Sequence, residues 1–359
     1  MIKELISTRF KNMKGQFYRP VIYEWEEEIA KYFNVPVKQV FQDTRDITKY
    51  FRKFIQAIKN LIKTLFPFTV KIKRSVIDPV SMPILVQDLN LPLSISFLLF
   101  HGEMSVCVGN NALPIFLDIW GGENSYDFEQ VLRRTKDLKI FYVTSRYIFN
   151  CIKARNPERN VRYMPLSVAD KYHSENFMKY RSKDIDVLQF GRKDEILHEY
   201  MLKYASEHKN INYVYCAETG NSDYLSTTNG NLGKMKTRDE FIKLLSRAKI
   251  SLVSPPGMDK KVDSKYGINF VTPRFYESAI LGCALIGRYP DNQEFRELNM
   301  SKYCPNITSY EQFCESLELA LNITPEELYS QNHDFIINSL TSQRAKQIER
   351  DLREIIYHD

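Results

Sequence analysis

A glycine followed by two cationic residues stands directly after an apolar run in the second half of the chain. The run at 186–190 leads into Gly191, Arg192 and Lys193, and a helical pattern begins after them. In a parallel α/β sheet, ligands bind beyond the carboxyl ends of the strands. A glycine there lets a phosphate approach the backbone, and arginine and lysine offer charge-assisted hydrogen bonds to a diphosphate. The alternative interpretation is a tight turn with a solvated basic pair.

The segment 272–286 holds a second group of residues suited to a nucleotide. Thr272 and Pro273 suit the start of a helix, where unpaired N–H groups and the positive end of the helix dipole favour a phosphate. Glu277 lies one turn further on, in a helix that is otherwise apolar, and a carboxylate can accept hydrogen bonds from both hydroxyls of a ribose. The alternative interpretation of Glu277 is an acidic residue that the helix dipole stabilises.

Strands and helices that would position these residues alternate through the second half of the chain. Four apolar runs predict strands, at 186–190, 212–216, 249–254 and 284–286. The helical patterns between them predict right-handed βαβ units in a parallel sheet. Three capping boxes predict helix starts, at Thr237, Thr308 and Thr324. Gly282 marks the end of the helix that carries Glu277.

The first half shows a similar alternation with less regularity. Three helical stretches are predicted before position 66. Four strand candidates follow, at 94–100, 113–119, 139–143 and 161–164, with a helix at 147–154. Because 359 residues exceed the size of one hydrophobic core, two domains are expected.

We therefore predict an α/β fold of two Rossmann-like domains that face a cleft. Residues 1–170 form the first domain and residues 171–334 the second. The terminal helix, at 335–359, is expected to pack back on the first domain.

Residues from about 160 to 300 resemble the nucleotide-binding domain of GT-B glycosyltransferases of the group-1 type. Four segments carry the resemblance in the family's order: PLSVAD at 165–170, DVLQFGRK at 186–193, TRDEFIKLLSRAKISLVSPPG at 237–257 and TPRFYESAILGCALIG at 272–287. Their order is more specific than any one of them. Many retaining members carry two glutamates eight positions apart, but Asn269 stands eight positions before Glu277. The resemblance therefore leaves open whether configuration is inverted or retained.

The resemblance implies that Glu277 holds the ribose of a nucleotide-sugar donor and that Arg192 binds its diphosphate. It implies further donor contacts from Gly191, Lys193, Lys265, Thr272, Pro273, Arg274 and Phe275. No cofactor is expected besides the donor itself. We expect arginine and lysine, rather than a metal ion, to neutralise the phosphate charge.

Asp184 and Asp186 spell the DxD motif that binds a metal and a diphosphate in the other glycosyltransferase fold. In that fold the motif lies at the carboxyl end of a strand. Here it precedes the predicted strand, so both carboxylates should lie at the edge of the sheet away from the ligand.

The first half is expected to supply the acceptor site and, for an inverting enzyme, a general base. His101 and Asp118 are candidates for the base because they stand at the ends of predicted strands. A structural role is the alternative for each. Trp120 could stack on a sugar ring, and Gly121 and Gly122 would allow an acceptor to approach closely.

A basic segment lies between Arg45 and Arg74, with nine lysines or arginines and the single acid Asp46. Its apolar residues recur at helical spacing, so it could lie as an amphipathic helix on an anionic membrane surface. The alternative is a packed helix with a solvated basic face. The sequence contains no membrane-length apolar run and no signal peptide, and its six cysteines are scattered. We expect a cytoplasmic protein, at the inner face of the membrane if this helix binds there.

These residues predict a glycosyltransferase that moves a sugar from a nucleotide-diphosphate donor to a hydroxyl of a glycan or lipid-linked acceptor, as in polysaccharide biosynthesis. One alternative is a sugar-nucleotide epimerase or hydrolase on the same fold. Another is a non-catalytic protein that binds a membrane or nucleic acid through its basic segment. That last alternative leaves the order of Gly191, Arg192 and Glu277 unexplained, and no nucleic-acid partner is expected.

Overall fold

A computed structural model of the chain describes residues 2–7, 19–39, 84–98, 111–117, 119, 123, 125–173, 183–217, 223–256, 258 and 270–358. Within these residues the strands form two six-stranded sheets, one in each half of the chain.

The first sheet is entirely parallel. Its strands are β1 (Ile2–Ser7), β2 (Val37–Gln39), β3 (Leu93–Leu98), β4 (Ala112–Phe116), β5 (Phe141–Val143) and β6 (Val161–Tyr163). They lie in the order β2-β1-β3-β4-β5-β6. The sequence predicted helices alone before position 66, so it missed β1 and β2. Lys3 and Glu4 interrupt the apolar run of β1, and only its second half is fully buried.

In the described part of the first half, three helices flank this sheet: α1 (Arg19–Phe33), α2 (Tyr126–Arg134) and α3 (Arg146–Arg155). Serines fix the starts of two of them. The Ser125 hydroxyl accepts a hydrogen bond from the N–H of Phe128, and the Ser145 hydroxyl accepts one from the N–H of Ile148. Each bond pairs an N–H group that the first turn of a helix would otherwise leave unpaired.

The second sheet combines four parallel strands with an antiparallel hairpin. Its strands are β7 (Ile185–Gln189), β8 (Tyr213–Cys216), β9 (Asp223–Ser226), β10 (Gly230–Lys234), β11 (Ala248–Val253) and β12 (Ala284–Gly287). They lie in the order β10-β9-β8-β7-β11-β12, and β9 and β10 form the hairpin. The sequence did not predict this hairpin, although Asn229 and Gly230 at its turn are a hairpin signal.

Eight helices belong to the second half of the chain within the described residues. They are α4 (Glu195–Glu207), α5 (Arg238–Ser246), α6 (Pro273–Ile280), α7 (Gln293–Glu297), α8 (Met300–Tyr303), α9 (Tyr310–Asn322), α10 (Pro325–Asn338) and α11 (Thr341–His358). The capping boxes at Thr237 and Thr324 are present. The prediction of a capping box at Thr308 is wrong. Ser309 caps α9 instead, because its hydroxyl accepts from the N–H of Gln312, and the Gln312 side chain accepts from the N–H of Thr308.

Two chain segments that connect the halves lie side by side. The N–H of Val168 donates to the carbonyl of Ser339 at 2.9 Å, and the N–H of Thr341 donates back to the carbonyl of Val168 at 3.0 Å. The indole of Trp25 on α1 donates to the carbonyl of Ser167 at 2.9 Å. The first segment is thereby anchored to α1, and the second segment is anchored to the first.

The helix α11 returns to the first sheet after the second sheet is complete. Tyr32 on α1 donates to Glu349 at 2.6 Å, and Gln347 donates to the carbonyl of Tyr163 at the end of β6 at 2.8 Å. The two mostly parallel sheets with their helices confirm the predicted α/β fold class of two Rossmann-like domains. The domain boundaries at 170 and 334 stay predictions. Among the described helices, none is both long and apolar enough to cross a bilayer.

Leu352 on α11 is fully buried, whereas Ile356 on the same helix is 42% exposed. We expect Leu352→Ala to lower the free energy of unfolding by about 2 to 5 kcal/mol, because it removes buried methyl groups and leaves a cavity. The control Ile356→Ala should change it by less than about 0.5 kcal/mol. Urea unfolding followed by circular dichroism measures both. Equal losses in the two variants would contradict the packing of α11 described here.

Candidate functional site

The turn after β7 lies at the carboxyl edge of the second sheet, next to the ends of β8 and β11. Gly191 adopts a φ of 67°, a left-handed conformation that glycine tolerates without strain. Its N–H donates to the hydroxyl of Tyr224 at 3.0 Å. Tyr224 is a residue of β9, so the antiparallel hairpin holds the turn in place.

Asp194 fixes the other end of this turn. Its carboxylate caps α4 by accepting from the N–H of Leu197 at 3.0 Å, and it accepts from the Arg288 guanidinium at 2.9 Å. The carbonyl of Asp194 accepts from the Gln189 amide at 3.2 Å. The Tyr213 hydroxyl in turn donates to Gln189 at 2.9 Å. The backbone between the two ends is therefore held in a defined shape.

Arg274 at the start of α6 lies across this turn. Its guanidinium donates to the carbonyl of Arg192 at 2.7 Å and lies 5.5 Å from the centre of the Phe190 ring. A Cβ atom at Gly191 would stand 2.5 Å from Nη2 of Arg274. Burial, together with the neighbouring Arg192, lowers the pKa of Arg274 to about 10. A buried arginine beside a second arginine favours an anion there.

The first turn of α6 offers further polar groups beside Arg274. Thr272 is the N-cap residue, but its hydroxyl makes no capping bond. That hydroxyl is buried and has no hydrogen-bond partner among the described residues. Pro273 has no N–H group to leave unpaired, as suits the first position of a helix. The start of α6 therefore presents a hydroxyl and the positive end of a helix dipole near the two arginines.

Glu277 is buried one turn further along α6. Its side chain is 4% exposed, and its Oε1 accepts from Nη2 of Arg238 at 2.5 Å. The same Nη2 lies 3.1 Å from Oε2 of Glu24 on α1. Burial raises the pKa of the Glu277 carboxyl, and Arg238 opposes that rise. One guanidinium thus joins a carboxylate of each half of the chain.

A second carboxylate joins the two halves at α7. Oε1 of Glu294 accepts from the N–H of Val271, and its Oε2 accepts from the N–H of Arg146 at the start of α3, both at 3.1 Å. Arg146 also forms an ion pair with Glu297. Val271 directly precedes the N-cap of α6, so this carboxylate ties the start of the candidate site to the first half.

The structure brings together most of the candidate residues of the second half, but not all of them. Lys193 points toward the end of β8, where its ammonium lies 3.3 Å from the carbonyl of Ala217. The Phe275 ring is fully buried, and its N–H bonds to the carbonyl of Thr272. Phe275 therefore packs in the core, and its N–H group is already paired within the turn.

Other candidates lie outside the described residues, and their roles stay predictions. These are Lys265, His101, Asp118, Trp120, Gly121, Gly122 and the basic segment 45–74.

The DxD motif lies at the amino end of β7, the end that its position in the sequence predicts. Asp184 pairs with Arg247 at 2.5 Å, and Asp186 pairs with Lys249 at 2.7 Å. In the described part of the chain, no group of three or more His, Cys, Asp or Glu side chains is placed to hold a metal ion.

Sequence reasoning missed the partners that surround the candidate site. The sequence shows Arg238 only as the residue that follows a capping threonine, and Glu24 lies 214 positions away from it. No local pattern signals such a contact. Asp194 could have been found, since an acidic residue directly before a helical pattern is an N-cap signal. Tyr224 required knowledge of the hairpin.

No protein-family model matches the sequence, and no curated protein matches it. Solved structures do show similarity. The chain is similar to the GtfA/B complex, with a TM-score of 0.46 and 10% identity over 75% of this chain and 58% of that chain. It is similar to the pneumococcal O-GlcNAc transferase GtfA in complex with UDP and GlcNAc, with a TM-score of 0.39 and 11% identity over 76% of this chain and 58% of that chain.

The chain is also similar to a putative UDP-N-acetylglucosamine 2-epimerase from Listeria monocytogenes. The TM-score is 0.43 and the identity 12%, over 92% of this chain and 90% of that chain. The chain spans 58% of the length of each of the first two chains named above. Similarity of this extent does not identify a reaction, which has to be inferred from the residues of this chain.

Burial raises the pKa of the Glu294 carboxyl from 4.5 to about 7, against the opposing effect of its two N–H donors. The folded protein therefore binds this proton more tightly than the unfolded chain does. The contribution of Glu294 to stability then falls as pH rises from about 4.5 to about 7. We expect the wild type to lose stability relative to Glu294→Gln over that window, by at most about 1.4 kcal/mol per pH unit.

Urea unfolding at pH 5 and pH 8 measures this difference. The control Glu297→Gln, on the same helix, should keep the pH dependence of the wild type. An unchanged pH dependence in Glu294→Gln would show that Glu294 does not titrate in this window.

Proposed function

We propose that the carboxyl edge of the second sheet binds a nucleoside-diphosphate sugar. The protein then transfers the sugar to a hydroxyl of a glycan or lipid-linked acceptor that the first sheet holds. The observation that carries this proposal is the convergence of Arg192, Arg274 and the start of α6 on one turn, with the buried carboxylate of Glu277 one helical turn away.

The diphosphate is assigned to the place where the two arginines meet. The guanidinium of Arg274 contacts the carbonyl of Arg192 and the face of the Phe190 ring, and a phosphate there would form charge-assisted hydrogen bonds with it. The unpartnered hydroxyl of Thr272 and the dipole of α6 favour the same anion. Gly191 keeps the backbone close to it.

The ribose is assigned to Glu277. Arg274 and Glu277 are three positions apart on α6, which places them about 4.5 Å apart along the helix axis and on neighbouring faces. In a nucleoside diphosphate the ribose follows the phosphates directly. Since Oε1 of Glu277 bonds to Arg238, we assign Oε2 as the acceptor for the ribose hydroxyls.

Transfer forms a bond between the acceptor oxygen and the anomeric carbon and breaks the bond from that carbon to the diphosphate. The arginines stabilise the charge that develops on the departing diphosphate. For an inverting reaction a base takes the proton of the acceptor hydroxyl, and His101 and Asp118 remain the predicted candidates. Holding both reactants in line and away from water favours transfer over hydrolysis.

Binding of UDP, GDP, ADP, CDP and dTDP to the wild type and to Glu277→Ala tests the donor site. We expect one nucleotide to raise the melting temperature of the wild type, because a ligand that binds only the folded state stabilises it. We expect that rise to be lost in Glu277→Ala. Thermal shift with and without EDTA provides the measurement.

Asp184→Asn is the matched control, since it changes a carboxylate at the opposite edge of the same sheet and should respond like the wild type. If no nucleotide stabilises the wild type, or if Glu277→Ala responds equally, the donor site is wrongly assigned. Products from the matching sugar nucleotide, with and without acceptors, then distinguish transfer from hydrolysis or epimerisation.

Two glycine substitutions separate backbone strain from displacement of Arg274. Gly191 and Gly230 both have φ near 70°, so alanine at either should cost about 1 to 2 kcal/mol of stability. Only at Gly191 would the added Cβ contact Arg274, whereas nothing lies within 4 Å of it at Gly230. We expect Gly191→Ala to weaken nucleotide binding at least about tenfold, the loss of one charge-assisted contact, and Gly230→Ala to leave it unchanged. Equal dissociation constants in calorimetric titrations would contradict this role of the turn.

A further inference from the structure

Arg238 occupies a position that none of the roles above explains. It is the first residue of α5, and its guanidinium is 9% exposed. It contacts Glu277 of the candidate donor site and Glu24 of the first half at the same time. Its Cζ atom also lies 5.8 Å and 5.7 Å from the centres of the Tyr172 and Phe241 rings.

The two carboxylates need this guanidinium because both are buried. The side chain of Glu24 is 8% exposed and that of Glu277 is 4% exposed. Two desolvated carboxylates near each other disfavour ionisation, and a cation between them restores it. An arginine suits the position because its planar fork can donate to two acceptors at once.

We propose that Arg238 is a positioning residue of the donor site, which orients the Glu277 carboxylate for a ribose while it binds Glu24 of the first half. This inference rests on the proposed function, since it assigns Glu277 to the ribose. Arg238 itself does not contact the nucleotide. It acts through Glu277, and its bond to Glu24 ties the orientation of that carboxylate to the placement of α1.

The charges around Glu277 act in opposite directions on its ionisation. Burial raises the pKa of Glu277, Arg238 lowers it, Glu24 raises it and Arg274 lowers it. Three further groups lie at Arg238 or Glu24 and complete the cluster: Lys171, Tyr172 and Phe241. Without Arg238, the effects of burial and Glu24 dominate. Glu277 then takes up a proton at a higher pH and loses one acceptor for the ribose.

The test measures the dissociation constant of whichever of UDP, GDP, ADP, CDP and dTDP stabilises the wild type most, between pH 6 and pH 8.5. We expect Arg238→Gln to weaken binding about tenfold at pH 6 and progressively less as pH rises. The nucleotide phosphate and Glu294 also titrate near this range, so the effect is read as the ratio of the variant's dissociation constant to that of the wild type at each pH. A purely structural role would shift stability without producing this pH profile.

Two further variants keep the test informative if the glutamine variant folds poorly. Arg238→Lys keeps the positive charge without the fork, so we expect partial binding, with a pH dependence between those of the wild type and the glutamine variant. Arg247→Gln is the matched control. It removes an arginine at the opposite end of α5, where the side chain pairs with Asp184, and should bind like the wild type.

A double-mutant cycle decides whether Arg238 acts through Glu277. In a Glu277→Gln background, adding Arg238→Gln should change the dissociation constant by less than about twofold. An equal effect of Arg238→Gln in both backgrounds would overturn the inference, and so would wild-type binding in Arg238→Gln and Arg238→Lys. If the wild type binds and Glu277→Gln weakens binding, failure of the Arg238 variants removes this inference alone. If no nucleotide binds the wild type, the proposed function fails with it.

Discussion

A single guanidinium between two buried carboxylates sets much of the arrangement of this molecule. The buried charge of Arg238 would destabilise the fold if Glu24 and Glu277 did not both remain bonded to it, because an unpaired buried charge is costly. Glu24 belongs to α1 and Glu277 to α6, so the same contact joins the two sheets and fixes the residue that we assign to the donor. Burial alone would lower the pKa of Arg238, but Glu277 and Glu24 raise it above its ordinary value. The two carboxylates thus keep the Arg238 guanidinium charged.

The candidate phosphate site depends on a different feature, the turn after β7, which contacts hold from both sides. Tyr224 fixes Gly191 from the hairpin, and Arg274 covers it from α6. Arg288 and Asp194 secure the far end. A site built in this way meets an anion with its donors already in place, which avoids the free energy of ordering them on binding. The antiparallel hairpin contributes directly to this arrangement, because its residue Tyr224 holds Gly191.

The sequence predicted the elements of the second half well because each has a local signal. The apolar runs of β7, β11 and β12, the capping box at Thr237 and the stop at Gly282 all require only neighbouring residues. The sequence did not predict the strand β1 because Lys3 and Glu4 obscure its apolar pattern. It did not predict the hairpin because β10 is an exposed edge strand. Gly191, Arg192 and Glu277 were found from their positions after a strand or within a helix. Their partners Arg238, Glu24 and Tyr224 could not be predicted, since contacts between distant segments leave no pattern in a single sequence.

The return of α11 to the first sheet has a consequence for the order in which the protein is made. Residues 341–358 pack against α1 and β6, yet a ribosome synthesises them only after the whole second sheet. Domains generally fold as units during synthesis, beginning with the N-terminal one. Here the surface that α11 covers stays open to solvent until that helix emerges. The half of the chain that is translated first is therefore completed only after the second half, and until then it exposes apolar surface, which favours aggregation.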